Sequence, residues 1–414
     1  MIFRSSAAAL IFAATLAGCR ADQSVAPPTS ATENDGLFLR YISLGNSIAA
    51  GFQSAGINDS TQRASFAVLF AQAAGTPFAY PSLAGRGCPA PLVNNVTQQR
   101  LGNQPDSLPC DLRQTPPPAY LNNLAVPGLD VADAFSNTVS GLGTYSRLTQ
   151  FFLGGRTQVQ WLMAEKPTFV SVEIGPNDVL GAVISGSNPG DPAEVTPPAA
   201  FKAAYQELAD SIAATGAQAV LFTIPDVTSV PYVSTGSTYW CIRNQPACGF
   251  STPAAFPPTF TVSNNCAPGV AIPGAPGDQT LVPWTVGLPK IAAAAQGAST
   301  TLDCSVDAEV ILPAELANIT AAVQADNAAI NAVATEHDWA VFDINVPFAA
   351  LLADGSIPAF PDISQALTGG NVTFGPIFSL DGFHPSSFAQ KLIANQVITV
   401  VNAKYGTAVP TSDP

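Results

Sequence analysis

The run at residues 38–44, FLRYISL, is too short for a helix of ordinary length. It is mostly apolar, and it stops at Gly45 with a serine two residues further on. Such a run reads as a buried strand ending in a tight turn, with the Ser47 hydroxyl held at the strand's carboxyl end. Similar apolar runs recur at 120–126 before Pro127-Gly128, at 169–174 before Gly175-Pro176, at 219–224 before Pro225, and at 340–344. Between them lie helix-period patterns. Phe66, Leu69, Phe70 and Ala73 mark a helix over 61–74 that Gly75 closes, and a helix begins near Asp130. Further patterns run through Leu148, Phe151 and Phe152, and through Val159, Trp161 and Leu162 up to Pro167. Thr196-Pro197 caps a helix bearing Phe201, Tyr205, Leu208 and Ile212 and ended by Gly216. Pro313 opens another, with Leu316, Ile319, Val323, Ile330 and Val333 on one face, and a last one runs through Phe388 to Gly406. Strands alternating with helices in this way predict one large α/β domain with a parallel sheet between two helical layers. Ligands bind such sheets at the carboxyl ends of the strands, where Ser47 sits.

Two tracts, 81–120 and 225–312, carry no readable period and are expected to be irregular insertions, the second covering the site or packing away from it. Six of the seven cysteines fall in loop-like sequence of this kind: Cys88, Cys110, Cys241, Cys248, Cys266 and Cys304. An even number in an exported chain favours three disulfides, and sequence neighbours suggest Cys88 with Cys110, Cys241 with Cys248, and Cys266 with Cys304, among fifteen possible pairings. Export itself is read from the start of the chain. Arg4 precedes a short apolar stretch at 7–17, and Leu16-Ala17-Gly18-Cys19 resembles a bacterial lipobox, in which the cysteine becomes the lipid-modified first residue. Residues 1–18 are then a signal peptide, 19–35 a flexible Pro/Ser/Thr-rich tether, and 36–414 the folded domain. Arg20 after the cysteine favours the outer membrane or periplasm, with a lipid-anchored protein in the cell envelope. With 15 Lys+Arg against 29 Asp+Glu, and no basic run, the chain offers no face for nucleic acid.

A serine attacks a carbonyl at neutral pH only with a base in hydrogen-bond reach, a group orienting that base, and donors aimed where the oxyanion forms. The chain has only two histidines. His337 falls at a helix C-terminus between Glu336 and Asp338, where a histidine commonly meets the helix dipole or solvent. His384 lies in a loop three residues after Asp381, a spacing that lets a turn bring the carboxylate onto one ring nitrogen while the other faces outward.

These segments resemble the SGNH hydrolases, also called GDSL esterases and lipases. The resemblance rests on four short blocks in the family's order, from Leu44 to Pro385: Gly45-Asn46-Ser47, Gly128 within NLAVPG, Gly175-Pro176-Asn177-Asp178, and Asp381-Gly382-Phe383-His384. It implies a three-layer, doubly wound, flavodoxin-like α/β fold with a mainly parallel central sheet and disulfide-bearing loop insertions. It further implies Ser47 as nucleophile, His384 as base, Asp381 as its orienting partner, and an oxyanion hole made by the backbone N–H groups of Ser47 and Gly128 and the Asn177 amide. No metal or organic cofactor is implied; the substrate is an ester, of a lipid or of an acylated small molecule or glycan. The first block departs from the family in one place, where Asn46 stands for its usual aspartate. That departure and the large irregular insertion keep open an alternative, an inactive exported binding or surface protein on the same fold.

Overall fold

A computed structural model describes residues 36–103, 120–136, 146–244 and 256–412. The expected signal peptide, Cys19 and the tether lie outside them, as do Cys110 and Cys248. The central sheet consists of Tyr41–Gly45 (β1), Phe169–Glu173 (β2), Gln218–Phe222 (β3) and Ala340–Phe342 (β4), paired in that order and all parallel. Every residue of β1 and β2 is buried, as strands covered on both faces must be. Their hydroxyls are satisfied within the sheet: the Tyr41 hydroxyl and Ser171 Oγ lie 2.8 Å apart, and Ser171 Oγ donates to Ser43 Oγ at 3.0 Å.

The segment expected as a strand over 120–126 runs along the outer edge of β1. It forms one isolated bridge, Ser43 with Asn123, rather than a full ladder. Backbone bonds from Ser43 N to Asn122 O, Leu124 N to Ser43 O and Val126 N to Gly45 O keep it parallel to β1. Asn122 Nδ2 also donates to Tyr41 O, so side-chain amides do part of what a ladder would do. Counting this segment, the spatial order places the chain's second extended run outside its first and the later ones on the other side. The winding therefore reverses at β1, the position where a doubly wound sheet binds its ligand.

Helices cover the sheet in two groups. Phe66–Ala74 and the last helix, Ser387–Tyr405, pack together; Gln158–Glu165, Pro198–Ala213 and Pro313–His337 form the other group. The apolar faces read from the sequence are the buried ones: Phe201, Tyr205, Leu208 and Ile212 in one helix, and Ile319, Val323, Ile330 and Val333 in another. A cluster of Phe38, Tyr41, Phe70, Phe78 and Phe169 fills the space beneath β1, with ring centroids 4.9–6.0 Å apart.

Several boundaries differ from expectation. The helix expected over 61–74 is two, Asp59–Arg63 and Phe66–Ala74, because the Ser65 side chain accepts from Val68 N and restarts the helix. Thr196 does not cap Pro198–Ala213; its N–H donates to Asp178 O, and the helix begins without a side-chain cap. The expected helix near Asp130 is only a 3-10 turn, Ala132–Phe135. Asn345–Ala353 is a helix that the sequence pattern did not mark. The tract 225–312 is not irregular throughout: it holds the helices Gly236–Arg243 and Trp284–Ala295 and two small two-stranded sheets. Its strands are three residues long and its second helix carries Pro289 inside it, so neither period was visible. The described part of 81–120 carries a short antiparallel pair, Leu92–Asn94 with Gln99–Arg100. Among the described residues no helix is long and apolar enough to cross a membrane.

Cys266 and Cys304 are joined in a disulfide, as the nearest-neighbour pairing expects, and Cys88 and Cys241 are each disulfide-bonded. The Cys266–Cys304 bridge spans 38 residues of the 225–312 tract, which has little sheet of its own to hold it. Closing a loop of that length removes roughly 4 kcal/mol of unfolded-state entropy on the chain-entropy account. Replacing both cysteines with serine is expected to lower the melting temperature by several degrees; a scanning-calorimetry midpoint unchanged from wild type would refute a stabilising role.

Candidate active site

Ser47 opens the short helix Ser47–Ala50 directly after β1. The turn into it is held by Asn46, whose Oδ1 accepts the Ile48 N–H at 3.2 Å and whose own N–H donates to Glu173 O at 3.1 Å. His384, 337 residues away, reaches the same point: its Nε2 lies 2.8 Å from Ser47 Oγ. On the far side of the ring, Nδ1 lies 2.9 Å from Asp381 Oδ2. Ser47, His384 and Asp381 are all buried. His337 takes no part; its ring stacks on Trp339 at 4.4 Å.

The Asp381 carboxylate is heavily solvated by protein. Oδ1 accepts from the N–H groups of Phe383 and His384 and from Ser379 Oγ, and Oδ2 accepts from Ala55 N at 2.6 Å. Burial alone would raise its pKa, but the His384 ring and these N–H donors outweigh burial and hold it below the usual carboxylate value. An ionised Asp381 facing Nδ1 selects the tautomer with its proton there, which leaves Nε2 free to accept the Ser47 hydroxyl proton.

The donor from Ala55 comes at a cost. Ser54 and Ala55 both have positive φ, 53° and 51°, a region L-residues rarely occupy. Arg100 fixes that turn by donating through Nη1 to Ala55 O and Ala90 O, at 2.6 and 2.7 Å. Neither the turn nor the arginine was singled out from the sequence.

Gly128, with φ of 89°, follows the point where Val126 N meets Gly45 O, and so lies at the same end of the sheet as Ser47. Asn177 begins the helix Asn177–Ile184 after β2, and its Nδ2 donates to Leu129 O at 2.8 Å, leaving one N–H of that amide for another acceptor. Its neighbour Asp178 accepts from Val131 N at 3.0 Å. Both residues of the block thus clamp the loop that carries Gly128. Burial, reinforced by the charge of Asp130, pushes the Asp178 carboxyl up to about 7. Among the described residues no group of three or more His, Cys, Asp or Glu is arranged to hold a metal ion.

Residues 41–397 match the family model described as GDSL-like lipase/acylhydrolase. The chain belongs to that family. Membership makes it a carboxylic ester hydrolase in class. Solved structures similar to it include TesA, at 14% identity over 88% of this chain and 98% of that one, with a TM-score of 0.34. An extracellular lipase from Streptomyces rimosus has 14% identity, the same coverages of 88% and 98%, and a TM-score of 0.35. The acetyl xylan esterase AlAXEase has 10% identity over 68% of this chain and 80% of that one, with a TM-score of 0.31. No curated protein matches the chain in sequence.

For a GDSL enzyme the first block is unusual, and the structure shows what the substitution keeps. The Asn46 carbonyl oxygen performs the helix cap that a carboxylate would perform, while Nδ2 is buried without a protein acceptor. Beside it is a group the sequence reading passed over. Glu173 pairs with Gly45 across the β1–β2 ladder, its Oε2 accepts Ala49 N at 3.1 Å, and it is buried. Burial pushes its pKa up to about 8, against which the nearby N–H groups of Ala49 and Asn46 pull only partly. Burial therefore favours the uncharged form of the Glu173 carboxyl, directly beneath the short helix that Ser47 opens. A lone acid inside the apolar run FVSVEI was the available signal.

The raised pKa fixes a sign. In the unfolded chain Glu173 loses its proton near the ordinary glutamate value, while the folded chain keeps it until about pH 8. Between those values the native state binds the extra proton, so stability falls as pH rises, by roughly 4–5 kcal/mol over the full window. Glu173→Gln, which can still accept from Ala49, is expected to flatten this decline between about pH 5 and 8. Denaturant unfolding at several pH values measures it, and parallel pH–stability curves for the two proteins would contradict a proton held at Glu173.

Proposed function

We propose that the protein hydrolyses carboxylic esters through an acyl-enzyme on Ser47. The observation that carries this reading is the unbroken hydrogen-bonded line from Ser47 Oγ through the His384 ring to Asp381, at 2.8 and 2.9 Å. His384 Nε2 takes the hydroxyl proton as Ser47 Oγ bonds to the ester carbonyl carbon. The carbonyl oxygen, now negative, is received by the N–H groups of Ser47 and Gly128 and by the free N–H of the Asn177 amide. The tetrahedral intermediate expels the alcohol, to which His384 returns the proton. Water then bonds to the acyl carbon as the same nitrogen takes its proton; the second tetrahedral intermediate breaks its bond to Ser47 Oγ, to which His384 returns that proton, releasing the acid and free Ser47. Asp381 stays ionised throughout and stabilises the imidazolium.

The inactive-fold alternative rested on Asn46 and on the large insertion at 225–312. It loses force because the cap at that position is intact and the line of reacting groups is assembled.

The reading includes a place in the cell envelope, anchored by lipid on Cys19 and facing the periplasm, with the Leu16-Ala17-Gly18-Cys19 sequence as its support. Metabolic labelling with a radioactive fatty acid is expected to mark the wild type and to fail on Cys19→Ser. Label on both would remove the lipoprotein reading and leave the chemistry untouched.

For the chemistry, a fluorophosphonate probe is expected to label the wild type on Ser47 and not Ser47→Ala. Asn177→Ala is expected to lower kcat by about 10²–10³-fold, the cost of one oxyanion donor. A folded wild type that neither reacts with the probe nor cleaves p-nitrophenyl esters would sink the proposal.

A further inference from the structure

Three hydrogen bonds in series lead from the small antiparallel pair, Leu92–Asn94 with Gln99–Arg100, to the reacting groups. Arg100 Nη1 donates to Ala55 O at 2.6 Å, Ala55 N donates to Asp381 Oδ2 at 2.6 Å, and that same oxygen faces His384 Nδ1 at 2.9 Å. A second line from the same pair arrives one residue earlier. Asn95, in the turn between the two strands, donates through Nδ2 to Leu380 O at 2.8 Å and to Val372 O at 2.9 Å. Leu92 N adds a third tie, to Ser54 O at 2.8 Å. Arg100 and Asn95 are both buried.

The turn at 54–55 needs such holding. Both its residues have positive φ, where a Cβ is crowded, and such a conformation persists only when the surroundings impose it. Relaxing either residue would rotate the peptide that joins them, and that peptide carries the N–H on Asp381. Arg100 opposes the rotation with one nitrogen on two carbonyls, Ala55 O and Ala90 O. We propose that Arg100 is a positioning residue for ester hydrolysis: by locking the turn it keeps the Ala55 N–H on Asp381 Oδ2, and so holds the carboxylate in line with the His384 ring. The inference rests on the acyl-enzyme reading. His384 moves a proton in both acylation and deacylation, so a carboxylate out of line slows kcat whichever step limits it. Arg100 is buried and acts through Ala55, so KM is left nearly unchanged.

The test measures kcat and KM on p-nitrophenyl acetate, with kcat taken per folded molecule. Arg100→Met keeps the apolar stem and removes the donors; it is expected to lower kcat by about 10- to 100-fold, the cost of a small misplacement of a reacting group. Arg100→Lys, which keeps the charge but not the planar fork, is read in the same way should the methionine variant fail to fold. Adding Ala55→Gly to either variant is expected to recover about fivefold or more of the lost kcat, because glycine adopts a positive φ without being held there. A folded variant with unchanged kcat overturns the proposal, and so does a loss that falls on KM alone or one that glycine does not restore. A second arm needs no turnover. In the Ser47→Ala background, Arg100→Met is expected to speed amide hydrogen exchange in peptides 52–57 and 379–384. Faster exchange beside a wild type that cleaves no ester would sink the acyl-enzyme reading and leave the hold on Asp381 standing. An active wild type with exchange unaltered by the variant would sink the role of Arg100 and leave the chemistry standing.

Discussion

The pairing of β1 with β2 is the constraint on which the site depends. Its register places Gly45 opposite Glu173, so the two strands end together and the turns that follow them emerge side by side. From one turn comes Ser47, from the other Asn177. A slip of one residue would turn the side chains of β1 to the opposite face and separate Ser47 from the helix Asn177–Ile184. Gly45 itself leaves no freedom here, since a Cβ at that position would collide with the Glu173 carbonyl oxygen. Close approach of two backbones is what requires glycine, and the approach brings the Asn46 N–H onto that same carbonyl.

The third part of the site comes from the far end of the chain and has no ladder to hold it. Residues 379–387 are fixed by polar contacts to the loop just after Ser47. Ser54 N donates to Ser379 Oγ, Leu380 N to Ser54 Oγ, and Ala55 N to Asp381. The last helix is tied down in turn by Gln390, whose amide donates to Ile48 O and accepts from Phe66 N. From the other side Tyr232 N donates to Gly382 O, and the Tyr232 ring meets Phe383 edge to face at 5.6 Å. The start of the 225–312 tract thus braces the histidine loop. The strain in Ser54 and Ala55 is the counterpart of this arrangement, since those backbone angles aim two N–H groups at one short segment.

The sequence exposed those features that have a period or a spacing. The sheet strands were legible as short continuous apolar runs, as strands covered on both faces are, and the Phe201–Ile212 face and the helix ending at His337 because burial on a helix repeats about every 3.6 residues. The pairing of His384 with Asp381 was legible because three residues of turn connect them. The supports of the site had no such signature. Arg100 acts on Ala55 from 45 positions away, Glu173 acts through a neighbouring strand, and Gln158 holds Gly45 O and Leu124 O through a single amide. Each is an isolated polar residue whose purpose exists only after the fold has brought its partner within 3 Å or so. The short elements of the 225–312 tract failed for a different reason. Three residues of strand are less than two full periods, and a bridge such as Cys266–Cys304 can replace the core that longer elements would need.

Asn46 and Glu173 are best understood together. An aspartate at 46 would cap the helix equally well, but as an anion it would sit on a turn whose backbone N–H groups already face the buried Glu173 carboxyl. Two buried carboxylates close together cannot both ionise cheaply, so one would be forced to hold its proton at a still higher pH. Asparagine removes that conflict. The cost is Nδ2, which is buried without a protein partner and so gives up about 1–3 kcal/mol relative to a satisfied group. In the proposed reaction the exchange matters most when the oxyanion forms, because a negative charge developing near Ser47 is opposed by every fixed anion around it and favoured by every fixed donor. A neutral amide beside a carboxyl that burial favours in its protonated form adds no fixed anion beneath Ser47. In this chain the residue that departs from the family pattern and the buried acid next to it compensate each other.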